Sequence, residues 1–139
     1  MREILFRGKR VYNRKWITGY YSYYETCHDH FIITDMSYGV PDMEQVYPET
    51  VGQCTGLTDK NGKRIFEGDI VRFDYVNDEG NDAHEDFLIF FEEGVFRAQF
   101  LGNIKCAPNI LYDEIGTDEC YVVGNKWDNP ELVKEVCEE

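Results

Sequence analysis

The dipeptide Asn61-Gly62, inside VGQCTGLTDKNGKRIFEGDIVRF (residues 51–73), constrains the fold of this chain more than any other feature. A type I′ turn needs φ > 0 at both central residues, and Asn and Gly tolerate that conformation best. The pair therefore predicts a tight β-hairpin. The residues after the turn agree with it: Ile65–Phe66 and Ile70–Tyr75 flank Gly68, which reads as a bulge or bend. Val71, Phe73 and Tyr75 alternate with Arg72 and Asp74, the period of a half-buried strand.

The same stretch superficially suggests a nucleotide loop, but the spacing excludes it. Five residues separate Gly56 from Gly62 where a phosphate loop has four, and Arg64 stands where a magnesium-binding hydroxyl is required.

Further strands are predicted along the chain. Residues 3–6 are short and apolar. Residues 15–24 place Trp16, Thr18, Tyr20, Ser22 and Tyr24 on one face and Ile17, Gly19, Tyr21 and Tyr23 on the other. Residues 30–34 and 119–123 read as strands, and Phe87–Phe91 with Val95–Phe100 as a second hairpin around Glu92-Glu93-Gly94. Residues 35–45 read as a loop or linker, and the polar run 77–86 as a solvated loop. Residues 102–118 carry no clear pattern. Asn129-Pro130-Glu131 signals a helix over roughly 130–137, with Asn129 as N-cap and Leu132, Val133 and Val136 inward. The fold class is all-β: short strands with one terminal helix, as in a small barrel or sandwich.

Charge is unevenly spread. Residues 1–15 carry six Lys/Arg (Arg2, Arg7, Lys9, Arg10, Arg14, Lys15) against Glu3, whereas residues 55–139 carry eight against twenty Asp/Glu, within a net charge of −13. Phosphate binding needs clustered cations, so the acidic body argues against nucleic acid as its partner. The opposed charges of strip and body suggest self-association into a homo-oligomer. Five cysteines (Cys27, Cys54, Cys106, Cys120, Cys137), an odd number without CxxC spacing, suggest free thiols in a reducing cytoplasm. No apolar run is long enough for a membrane helix, so no membrane is expected as a partner.

Candidate chemistry is thin. Cys27-His28-Asp29-His30 looks metallic, but alternation along a strand puts at most two ligands on a face, and a polar turn is the better reading. Asp78, Asp82 and Asp86 miss the offsets of a calcium loop. No GxSxG elbow occurs, and the only serines are Ser22 and Ser37. The Tyr20–Tyr24 strip could stack bases or sugars, but cross-strand packing is the simpler reading. No catalytic, metal or cofactor-binding residue is assigned, no cofactor is expected, and no binding residue can be fixed.

The block Pro48-Glu49-Thr50-Val51-Gly52-Gln53, Thr55-Gly56-Leu57, Asp59-Lys60-Asn61-Gly62-Lys63 and Glu67-Gly68-Asp69-Ile70-Val71 resembles the YopX family, encoded mainly by bacteriophages and prophages. The start, Arg2 to Lys9 with Trp16-Ile17-Thr18-Gly19, and the tail, Gly124-Asn125 with Asn129-Pro130-Glu131-Leu132, resemble it too. Cys54 stands where an aromatic residue is usual, and the acidic 77–86 loop is outside the pattern. The resemblance implies an N-terminal β-rich region (1–54) and an SH3-like barrel with a C-terminal helix (55–139). It implies no catalytic residues. The expectation is a non-enzymatic phage or prophage accessory protein in the bacterial cytoplasm, a small binding or assembly module with a host or phage protein partner. The alternative is a nucleic-acid-directed role, by DNA mimicry through the acidic body or by weak binding through the basic strip.

Overall fold

The computed structural model describes residues 4–35, 39, 42–102, 109–110 and 119–133. The chain divides into two compact units, Met1–Gly56 and Leu57–Glu139. All of its sheet is antiparallel, in two sheets, and neither closes on itself among the described residues. The all-β class therefore holds.

The first unit is built by β1 (Phe6–Lys9), β2 (Trp16–Tyr24), β3 (Asp29–Asp35), β4 (Asp42–Val46) and the start of β5 (Gly52–Thr58). Their order is β4-β3-β2-β1-β5, and β6 (Arg64–Phe66) follows beyond β5 in the second unit. β4 corrects the reading of 35–45 as loop: the run Asp42–Val46 has few β-formers, but its pairing with β3 from His30↔Val46 to Ile33↔Met43 imposes the strand. Similarly, β1 extends through Arg7-Gly8-Lys9, because each pairs with β2. The alternation of β2 directs Ile17 into a core with Ile32 and Val46, flanked by Phe6, Tyr21 and Val51. Pro48–Thr50 form a 3₁₀ turn. There the Thr50 hydroxyl donates to the Tyr47 carbonyl at 2.6 Å and accepts the Lys9 N–H at 2.8 Å, which ties the turn to β1.

The second unit holds β6, β7 (Asp69–Val76), β8 (Asp82–Glu92), β9 (Val95–Phe100), β10 (Asn109–Ile110) and β11 (Tyr121–Asn125). The five-stranded order is β10-β9-β8-β7-β11. Its core joins Ile65, Val71, Phe87, Ile89, Ala98 and Cys120, with Leu57, Phe73, Phe96, Phe100 and Val122 packed around them. β8 begins at Asp82, inside the run read as loop, because Val76↔Asp82 through Arg72↔Asp86 continue the β7 ladder. The polar side chains there face outward, so composition concealed the strand.

The Asn61-Gly62 turn is a hairpin of another type than expected. Asn61 is absent from the positive-φ residues, while Gly62 has φ +81. The Gly62 N–H donates to the Asp59 carbonyl (3.0 Å) and the Asp59 N–H to the Lys63 carbonyl (2.8 Å). This is a three-residue loop, a turn closed by a left-handed glycine. The two-residue geometry, with both central φ positive, occurs at Glu93 (φ 55) and Gly94 (φ 83). Gly68 (φ +92) makes the β6–β7 bend, and an added Cβ there would lie 2.2 Å from the Trp127 ring. Asp69, fully buried, accepts the Phe66 N–H at 2.8 Å across this bend.

Residues 131–133 are helical, and the rest of the expected helix, with Val136, lies outside the described residues, as does most of 102–118. Asn129 does not cap in the expected way. Its Oδ1 accepts the Asn125 N–H (3.2 Å), while its carbonyl accepts the Leu132 N–H (3.1 Å).

Candidate binding surfaces

Among the described residues, the basic strip does not form one electropositive face. Arg7 is only 8% exposed and lies 4.5 Å over the Trp16 ring, with the Lys9 ammonium 5.4 Å from the same ring. Arg10 donates from Nη1 to the Trp16 carbonyl at 3.3 Å and sits 4.0 Å from Glu44. Cations held over aromatic rings keep their charge but lose freedom to track a polyanion. Arg2 lies outside the described residues. Arg14 and Lys15 are exposed in the β1–β2 loop.

That loop is held by hydrogen bonds within itself and to β4. Arg10 N–H donates to the Lys15 carbonyl (3.0 Å), Arg14 N–H to the Arg10 carbonyl (2.8 Å) and Val11 N–H to the Gln45 carbonyl (2.9 Å). Asn13 Oδ1 accepts the Lys15 N–H at 2.9 Å. Arg14 is held at φ +60, a conformation a non-glycine residue adopts at some cost, with its guanidinium 5.6 Å over the Tyr47 ring. At the tip stands Tyr12, 89% exposed, beside exposed Val11. Sequence reasoning missed Tyr12; the available signal was an aromatic inside a basic run, VYNRK.

The Tyr20–Tyr24 strip splits, by alternation for Tyr20 and Tyr24 and by distance along β2 for Tyr23, which shares the face of Tyr21 but lies past the core. Tyr21 packs against the first core, while Tyr20, Tyr23 and Tyr24 are exposed. Two histidines attach to it: Tyr21 Oη lies 2.5 Å from His30 Nδ1, and Tyr23 Oη 2.9 Å from His28 Nδ1. Tyr24 meets Phe31 edge-on at 5.1 Å between centroids. Cys27 Sγ faces the Tyr24 carbonyl at 3.9 Å. The Cys27–His30 residues are thus spread through a turn and a strand start. Among the described residues, no group of three or more His, Cys, Asp or Glu is placed to hold a metal.

The acidic run also separates. Asp86 forms a two-pronged ion pair with Arg72 (2.8 and 3.0 Å), and this hydrogen-bonded carboxylate holds the Arg72 guanidinium above its ordinary pKa. Asp74 Oδ2 accepts the Tyr121 hydroxyl at 2.8 Å, the main cause of that phenol's raised pKa. Asp78 and Glu79 sit in the β7–β8 loop, and Asp82 starts β8. Between them, Asp74, Tyr75, Val76, Asp82 and Ala83 line a recess of about 460 Å³. Tyr75, expected on the buried face with Val71 and Phe73, is exposed, and Val76 is 65% exposed. Tyr75 lies past the end of the core that holds Val71 and Phe73, and Val76 alternates onto the face of Arg72 and Asp74. A second recess, about 260 Å³, is lined in part by Arg72, His84, Asp86 and Glu131.

Each of the two compact β-units carries exposed aromatic side chains beside charged ones, Tyr12 with Arg14 in the first and Tyr75 with Asp74 in the second. The chain belongs to the YopX family, whose signature, described as YopX protein, matches residues 5–134. The crystal structure of protein EF1440 from Enterococcus faecalis is similar to it: 28% identity, 96% of this chain and 99% of that chain covered, and a TM-score of 0.55. No curated protein matches the chain. No described helix is long and apolar enough to cross a membrane.

Proposed function

We propose that the chain is a non-enzymatic accessory protein of phage or prophage origin, acting in the bacterial cytoplasm as a binding or assembly module. The observation that carries this reading is the hydrogen-bonded β1–β2 loop, which holds Tyr12 almost wholly in solvent between Arg10, Arg14 and Lys15. Tyrosine and arginine dominate binding hot spots, and a prearranged loop loses little freedom on docking. Among the described residues, several groups a catalyst could use have structural work: His28 and His30 join tyrosines, Asp59 holds backbone N–H groups, and Asp86 holds Arg72. The succession of hairpins from β6 to β9 supports relating the second unit to SH3-type folds, which bind through loops, although a fold does not fix a function.

A nucleic-acid-directed role is the second reading. Arg7, Lys9 and Arg10 are engaged with Trp16, which leaves few cations for phosphates and weakens its direct form. The mimicry form needs carboxylates in paired rows, and Asp86 and Asp74 are committed to Arg72 and Tyr121.

The test is affinity capture from a bacterial lysate at low and high salt, with the wild type and the Tyr12→Ala/Arg14→Glu variant as baits. Proteins held by the wild type at low salt and lost with the variant support the proposal. Equal capture by both removes the loop as the binding surface.

A further inference from the structure

The β1–β2 loop and the β7–β8 hairpin are complementary in charge and in apolar content, and each is open to solvent. The loop offers Val11 and Tyr12 flanked by exposed Arg14 and Lys15. The hairpin offers Tyr75 and Val76 in a recess bordered by Asp74 and Asp82, with exposed Asp78 and Glu79 at its tip. Tyr12 and Val76 are both largely exposed. We infer that the occupant of the recess is a second copy of this chain: the Tyr12 loop of one molecule docks on the β7–β8 hairpin of another.

This deepens the binding-module reading and rests on it. The match has the parts of an interface, an exposed aromatic side chain flanked by cations against exposed Tyr75 and Val76 bordered by the carboxylates of Asp74 and Asp82. Both partners are prearranged. Asn77 Oδ1 accepts the N–H groups of Glu79 (3.1 Å) and Asn81 (2.9 Å), so the acidic tip is as ordered as the basic loop. A polyanionic partner for the loop is disfavoured, because a chain of net charge −13 repels it at long range. The same net charge opposes two copies, but the local pairing of Arg14 and Lys15 with carboxylates offsets it at contact distance. The contact is therefore concentration-dependent and sensitive to salt.

The experiment is light scattering and sedimentation of the full chain from about 0.02 M to about 0.5 M salt, with three proteins. The wild type should associate at low salt and dissociate as salt rises. Arg14→Glu/Lys15→Glu and Asp78→Lys/Asp82→Lys should each associate at least about tenfold more weakly. The two variants mixed should associate again, since reversed loop then meets reversed recess. Thermal melting of each variant establishes that it is folded. A wild type that stays monomeric at low salt, association that persists unchanged in either folded variant, or a mixture of folded variants that stays monomeric overturns the inference. If the wild type is monomeric yet lysate capture depends on Tyr12, the self-contact falls and the binding reading stands, with another acidic protein as partner.

Discussion

Asp59 Oδ2 accepts the backbone N–H of Val122 at 2.9 Å, across 63 residues of chain. Its other oxygen accepts the N–H groups of Asn61 and Lys63, each at 2.9 Å. One buried carboxylate thus shapes the β5–β6 loop and fastens it to β11. Burial pushes this carboxyl up, but the N–H groups of Val122, Lys63 and Asn61, with the Lys63 charge, outweigh burial and hold its pKa below the ordinary value.

Replacing Asp59 by Ala leaves three N–H groups without their acceptor and should cost about 2–4 kcal/mol, read by urea denaturation. A cost under about 1 kcal/mol would show that water or backbone substitutes for the carboxylate.

The depressed pKa also sets a direction in pH. The unfolded chain binds the Asp59 proton more readily than the native state, so this stabilisation is complete above the ordinary carboxylate range. It is lost as pH falls through that range toward the native value. Melting temperature measured from pH 7 downward should fall more steeply for the wild type than for Asp59→Asn. Parallel curves would remove Asp59 from the acid response.

Gly68→Ala combines a left-handed φ with a collision against Trp127, and about 2–4 kcal/mol of destabilisation is expected. In the Trp127→Ala background the collision is gone, and the same change should cost only about 1–2 kcal/mol, the backbone part. Equal costs in both backgrounds would rule out the ring as the obstacle.

At the β5–β6 loop, Gly62→Val should cost about 1–2 kcal/mol from φ alone, because nothing lies within 4 Å of an added Cβ. Asn61→Ala should be worth under about 0.5 kcal/mol, since Asn61 is not left-handed. A large Asn61 effect would restore the two-residue turn. ATP with magnesium should leave the melting temperature of wild type and Gly62→Val unchanged.

Brief alkylation of the native protein should label Cys27, which is exposed, while Cys54 and Cys120, buried, should wait for unfolding; none of the three forms a disulfide in the structure. All five cysteines should be labelled after denaturation if the proposed reducing compartment is right. A disulfide recovered from cytoplasmic expression contradicts that compartment.

Alternation made β2, β3, β7 and β9 legible, because one face of each meets a core. β4 and the first half of β8 were not legible, since their polar side chains record solvent while the backbone follows a neighbour's ladder. The turn type was misread because Asn-Gly outweighed a wider pattern. Asp59-Lys60-Asn61-Gly62-Lys63 and Asn77-Asp78-Glu79-Gly80-Asn81 share an Asx at the first place, whose oxygen takes the N–H groups two and four residues on. Each also has a left-handed Gly fourth. That spacing was in the sequence. Of the candidate surfaces, the cations were legible from composition, but their engagement with Trp16 was not, because it depends on the register of Lys9 opposite Trp16.

The second sheet places its last strand beside its first long one: β11 pairs with β7, while β8, β9 and β10 stack on the other side. On a ribosome this order has a cost in time. β7, β8 and β9 can form a meander as soon as they emerge, but the free edge of β7 stays uncovered until residues 77–120 and then β11 have been made. At ~5–20 residues per second that wait lasts several seconds. Through it, the nascent chain exposes a strand edge of the kind that recruits other strands. Chaperone demand should therefore concentrate late in synthesis, and C-terminal truncations that remove β11 should yield aggregates instead of a shorter folded protein.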